Sequence, residues 1–147
     1  MDIRVEGSER LIRILQGLTN ETDGAIERGM EKGAKIMQGS IKKRVPVDTG
    51  QLRNSISVEK VDTCKYAIGT NVEHAIFVEF GTGLNGDPKV CHTTKPYWTY
   101  FKDGRFIRTH GALPAHYMQD GFFEAKDEVV KCVADEIRKE IQRYGGR

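Results

Sequence analysis

The chain is short of several things, and each shortage removes a class of function. Its three cysteines, Cys64, Cys91 and Cys132, are an odd number with no CxxC pair. A disulfide framework or a zinc ribbon needs more, and the three are read as reduced thiols of a cytoplasmic chain. No stretch approaches the roughly 20 apolar residues of a membrane span. Residues Met1 to Gly7 carry Asp2, Arg4 and Glu6 without an apolar core, so no secretory signal is expected there. A surplus of one charge is also missing: Lys+Arg 23 against Asp+Glu 21 leaves +2. Dedicated nucleic-acid binders usually show a clear basic excess. The nucleophile elbow GxSxG and the phosphate loop GxxxxGK[ST] are both absent.

What remains is an ordinary globular chain. At 147 residues, 38% hydrophobic and 30% charged, it is expected to form one domain, 1–147, that buries its own core without metal or disulfide. Ile3 and Val5 alternate with charges and suggest a short strand or arm. Ser8 then caps a short helix bearing Leu11, Ile12, Leu15 and Leu18, so that 1–20 reads as an arm plus helix. A long helix is predicted from about Thr22 to Arg44, with Ile26, Met30, Ala34, Met37 and Ile41 on its apolar face. Gly24, Gly29, Gly33 and Gly39 interrupt it, either as tolerated surface residues or as points of close backbone approach. Pro46 ends it.

Ser55–Val61, Tyr66–Thr70 and Ala75–Phe80 read as strands, the last with Ile76, Val78 and Phe80 on one face and Phe77 and Glu79 on the other. Gly81-Thr82-Gly83 stops that run. Residues 84–113 are punctuated by glycine and proline. Inside them, Asp103-Gly104 between Tyr97–Phe101 and Phe106–Ile107 predicts a hairpin insertion. A final helix is predicted from Asp120 to Tyr144. Its stripe is Phe122, Val129, Val133, Ile137 and Ile141, with Phe123 and Val130 beside it and a solvated charged face opposite. The fold class expected is α+β: a small antiparallel β-sheet of three to five strands packed against two long helices, N-terminal and C-terminal.

Three constellations invite chemistry. Asp48-Thr49-Gly50 is the triplet of aspartic proteases, which pair one such Asp from each of two lobes or subunits. A small homodimeric protease using Asp48 is therefore an alternative reading. Against it, the triplet follows Pro46 and leads into a helix start, where Asp48 or Thr49 would cap free N–H groups. Cys91-His92 with His110 and His116 has no zinc spacing, so neither a metal nor a cofactor is expected. Lys95–Arg108 mixes basic and aromatic residues, as a single-strand-binding module would. A hairpin used for protein contact explains the same residues, and the small net charge favours it.

Two blocks carry a resemblance. Val45-Pro46-Val47-Asp48-Thr49-Gly50-Gln51-Leu52-Arg53-Asn54-Ser55-Ile56 resembles the PVDTG-x-L-R-x-S block of a minor tail-component family of tailed phages. Tyr66-Ala67-Ile68-Gly69-Thr70, followed by Val78-Glu79-Phe80-Gly81-Thr82-Gly83, resembles its second block, Y-A-x-x-V-E-x-G-T. A third match, Gly111-Ala112-Leu113-Pro114 leading into Phe122, resembles that family's approach to its last helix. The family is the head–tail joining and tail-completion group typified by the tenth gene product of a lambdoid phage.

The resemblance implies a structural virion protein without catalysis. It implies a homo-oligomeric ring, six-fold, between head connectors and the tail tube or tail terminator, assembled in the host cytoplasm. No small-molecule substrate and no membrane are implied, and DNA enters only as cargo through the lumen. It assigns Pro46, Asp48, Thr49 and Gly50 to a rigid corner anchored by Leu52. Glu79 reads either as an edge-strand gatekeeper or as a salt-bridge partner of Arg53 or a neighbouring subunit. Tyr66, Gly69, Phe80, Gly81, Thr82, Gly83 and Pro114 join them as motif residues. Trp98, Tyr100 and Phe106 are the contact candidates of the hairpin.

Overall fold

The structure, a computed structural model, describes residues 8–145. The arm expected at Ile3–Glu6 lies outside the described residues, as do the side chains of Leu11, Ile12 and Leu15. In chain order the elements are α1 (Ser8–Arg44), α2 (Gln51–Ser55), β1 (Ser57–Asp62), β2 (Lys65–Gly69), α3 (Ala75–Phe80), β3 (Trp98–Lys102), β4 (Arg105–Thr109) and α4 (Tyr117–Gly145). The class is α+β, with two long helices and two small antiparallel sheets, β1-β2 and β3-β4. Among the described residues the strands form two separate hairpins; the single sheet of three to five strands is not formed. No described helix is long and apolar enough to cross a membrane.

Two expectations about the helices change. Gly17 and Asn20 do not end a first short helix, since α1 runs unbroken from Ser8 to Arg44. Ala75–Phe80 is helix α3, not a strand. A short run of five apolar residues around one acid cannot be told from a buried helical turn by periodicity alone. A turn at Val72–Ala75 precedes it, and Gly81, at φ 72, stops it. Ala75 and Glu79, four apart, are its buried side.

The chain forms two compact units. The first takes the described residues of Met1–Met37, Val58–Ala67 and Ala125–Arg147. Here α1 buries Ala25, Gly29, Gly33 and Met37, one residue every turn. At its start the strip runs beside the predicted Ile26 and Met30, through alanine and glycine; Ala34, Met37 and Ile41 of the predicted face are buried as expected. Gly29 lies against Val133, where an added Cβ would sit 2.9 Å from the Val133 Cα. At Gly33 it would sit 2.7 Å from a Val129 methyl. Two glycines four apart on α1 thus accept two valines four apart on α4, so the helices meet backbone to backbone. Close approach, not surface tolerance, explains these two glycines.

The rim of this contact is ionic. Arg28 and Lys32 of α1 reach Glu140 and Glu136 of α4 at 2.8 and 2.7 Å. Lys139 adds a second cation to Glu136 at 3.2 Å. Both carboxylates are buried, which corrects the reading of the charged α4 residues as one solvated face. Hydrogen bonds from Lys32 and then Lys139 hold the Glu136 carboxyl below its usual range. The predicted α4 stripe is also only half used: Phe122, Phe123, Val130 and Ile141 are each at least half exposed. The β1–β2 hairpin adds a Lys60–Glu27 ion pair and the half-buried Tyr66 to this unit.

The second unit takes Gln38–Ser57 and Ile68–Glu124. Its core is Ile41, Val45, Leu52, Ile56, Ala75 and Tyr117. Gln38 ties in the end of α2 by donating to the Ile56 carbonyl at 2.8 Å. Arg44 reaches Glu124 at 2.8 Å on the surface.

The glycines of α1 give substitutions of opposite sign. At Gly29 an alanine Cβ meets backbone, and Gly29→Ala is expected to cost about 1–3 kcal/mol by overpacking. At Gly39 nothing lies within 4 Å. Gly39→Ala is expected to gain about 0.5–1 kcal/mol from helix propensity alone. Urea unfolding of the two variants beside the parent checks both signs.

Candidate functional site

The second motif block folds into a clasp around the start of α4. A helix begins with N–H groups that have no carbonyl partner. A side chain at the N-cap usually supplies one, but the N-cap position of α4 is His116, which cannot accept in that geometry. Glu79 does it from another element. Its Oε2 accepts the Met118 N–H at 2.8 Å and its Oε1 the Gln119 N–H at 3.1 Å. The carboxylate is buried, 6% exposed, at the positive end of the helix dipole. Both oxygens are used, so Glu79 is neither an edge-strand gatekeeper nor the partner of Arg53, which stands exposed on α2.

The backbone closes the same clasp. Ala115 N–H donates to the Val78 carbonyl at 2.9 Å and His116 N–H to the Glu79 carbonyl at 3.0 Å. Thr82 N–H donates to the Ala112 carbonyl at 2.8 Å, and the Thr82 hydroxyl accepts the Ala112 N–H at 2.9 Å. Gly81, at φ 72, permits this fit: a Cβ there would lie 2.5 Å from the Ala112 oxygen and 2.7 Å from the Pro114 nitrogen. His116 itself is held at φ 47, a conformation that non-glycine residues rarely adopt. Tyr117 packs beneath, 1% exposed. Burial, then the Glu79 charge, raises its phenol above the usual range.

The first motif block lies in the same unit. Pro46, Asp48 and Thr49 are exposed in the loop before α2, and Gly50 takes the N-cap position at φ 80. No side chain caps that helix; the nearest approach is Thr49 Oγ1, 3.4 Å from the Gln51 nitrogen. Of the two residues expected to accept free N–H groups here, Thr49 takes this one long bond and Asp48 makes none. Leu52 is buried as the anchor of the loop. The two motif blocks touch where the Ser55 and Thr70 hydroxyls meet at 2.5 Å. Gly69 ends β2 with open space where a side chain would be, and Tyr66 sits in the other unit.

Residues 84–110 hold the hairpin. Asp103 and Gly104, both at positive φ, make the two-residue turn that the Asp-Gly pair predicts, pairing Lys102 with Arg105. Trp98 at its base is half-buried against Gly83. Phe101 and Phe106 face each other near the tip, ring centroids 5.2 Å apart and 63% and 77% exposed. Tyr100 is 42% exposed. Arg108 lies over the Tyr97 ring, 3.5 Å from its centroid, so one of the basic residues read as a nucleic-acid contact is engaged within the chain. An apolar groove of about 390 Å³ opens beside the clasp, walled by Ile76, Phe77, Phe80, Val90, Cys91 and Trp98. No group of three or more potential metal ligands comes together among the described residues.

Missing from the sequence reading were the two amides that Glu79 serves and the bonds by which Thr82 holds Ala112. Backbone donors leave no trace in residue type. The signal that existed was a lone acid in an apolar run, followed by glycine.

Residues 9–81 match the family described as "Bacteriophage HK97-gp10, putative tail-component". That span includes α2, the β1–β2 hairpin and α3 with Glu79, and it ends at Gly81; the third motif block, the β3–β4 hairpin and α4 lie beyond it. No curated protein and no solved structure matches the chain.

Removal of the Glu79 carboxylate strands two N–H groups. Glu79→Ala is expected to lower stability by about 2 kcal/mol, and Glu79→Gln, which keeps one acceptor but no charge, by about 1 kcal/mol. Urea unfolding reads both; equal stability of all three chains would contradict the clasp.

Proposed function

We propose that this chain, whose residues 9–81 make it a member of the HK97-gp10-like phage tail-component family, acts in head–tail joining or tail completion of a long-tailed phage. In this reading it is one subunit of a neck or tail-end ring, six-fold in symmetry. Its neighbours are head-connector proteins on one side and tail-tube or tail-terminator proteins on the other. DNA passes through the lumen as cargo. The chain is made in the host cytoplasm and ends in the virion.

The observation that carries the reading is the distribution of apolar side chains. Among the described residues fourteen large hydrophobic side chains are exposed, while the buried hydrophobic core numbers ten residues, four of them alanine. Scattered exposed apolar residues are normal, but paired aromatics on a projecting hairpin and an open apolar groove mark contact surface. A subunit that gains its remaining burial from its neighbours fits this balance. Each motif residue of the clasp already has a structural task, which supports architecture over chemistry for the buried acid Glu79. The protease alternative draws no support from Asp48, which is exposed on its loop, since a shared-proton pair needs two enclosed carboxyls.

Electron microscopy of lysates from a phage or prophage lacking this gene, beside a complemented control, tests the function. DNA-filled heads and unattached tails are expected. Complete, infectious virions from the deletion would end the reading.

A further inference from the structure

We propose that the aromatic tip of the β3–β4 hairpin is the occupant of the apolar groove, in a second copy of this chain. The proposal deepens the ring reading by naming the contact between neighbouring subunits, and it rests on that reading for its biological setting.

The groove is a concave space of about 390 Å³. That is within the ~300–1,000 Å³ range of sites that enclose molecules larger than a phenyl ring. Two of its walls, Ile76 and Phe77, are 54% and 58% exposed, with none of the described residues covering that surface. The tip is the complementary shape: Phe101 and Phe106, opposite each other in the ladder and packed edge to face.

A hairpin cannot fill the groove at its own base. Trp98 belongs to the groove wall, while Phe101 lies three residues further along β3, about 10 Å away. The period-two alternation also puts Phe101, with its partner Phe106, on the opposite face of the hairpin from Trp98. Within one copy the tip therefore points away from the groove, whose one hairpin residue is Trp98. Between copies both are satisfied, and the contact is heterologous: each copy gives a tip and receives one. Such contacts propagate, and close into a ring when the rotation allows.

The areas agree with a specific interface. A buried phenylalanine covers roughly 150–250 Å², so the two rings at their observed exposures offer on the order of 300 Å². A standard interface buries about 800 Å² per partner, a little over half of it apolar. The two rings alone supply most of that apolar share.

Cys91 supplies the reporter, since it lies exposed on the groove wall. The test is oxidative cross-linking of the full chain carrying Arg105→Cys beside the tip, which keeps both rings, at high micromolar concentration, with circular dichroism confirming the parent fold. Arg105 is exposed, so its replacement removes no core. The expected result is a ladder of dimers, trimers and larger species on a non-reducing gel, absent from the parent chain and abolished by adding Cys91→Ser. No cross-linking, dimers alone through tip-to-tip pairing, or a ladder that survives Cys91→Ser would overturn the proposal. A tip that docks on a different tail protein gives the first of these. The result is separable from the deletion phenotype. A Cys91-dependent ladder with normal virions keeps the contact and removes the head–tail role; unjoined heads and tails without a ladder do the reverse.

Discussion

Two backbone N–H groups at the start of α4, those of Met118 and Gln119, have no carbonyl of their own helix to bond, and both reach the Glu79 carboxylate. The second unit is organised by that demand. The acid must be buried, so α3 turns it inward beside Ala75. The chain must then leave α3 at once, so Gly81 takes a conformation in which any side chain would strike the Ala112–Pro114 backbone. Residues 111–116 have no regular structure of their own, and their backbone groups bond instead to Val78, Glu79 and Thr82. A buried charge without partners would be costly, but this one has two N–H donors and a helix dipole. The V-E-x-G-T block is thus a device for holding a helix start, which accounts for each of its polar and glycine positions without any chemistry.

The first unit depends on absence of side chain. Gly29 and Gly33 cost α1 about 1 kcal/mol each in propensity, offset by the contact they allow with Val129 and Val133. Arg28 and Lys32 then close over Glu140 and Glu136 at the edge of that contact. Packing of this kind is invisible to a search for large apolar residues. It explains why Ile26 and Met30 of the predicted face are only partly buried, while Ala34, Met37 and Ile41 of that face are core as expected.

Legibility followed the range of the physics involved. Asp103-Gly104 announces its turn because two successive positive φ angles select those residue types locally. The two long helices, the stop before Pro46 and the β1–β2 strands were readable for the same reason. The state of Ala75–Phe80 was not, because five apolar residues around one acid suit a strand or a turn of helix and tertiary bonds decide. Glu79 was singled out correctly as an oddity but given the wrong partner, since its true partners are main-chain amides 39 and 40 residues away. Phe122 and Ile141 look like core by periodicity yet stand half exposed within one chain. On the proposed function, such residues belong to surfaces that only the assembled tail completes.

The account holds that the motif residues are spent on the clasp and that the aromatic hairpin is left for assembly. A single-particle reconstruction of the head–tail junction in virions bearing this chain tests that most directly. The prediction is a closed ring of copies at the junction, each with its Phe101–Phe106 tip buried against a neighbour. Virions without the chain at that position, or a ring whose hairpins stand free in solvent, would contradict it.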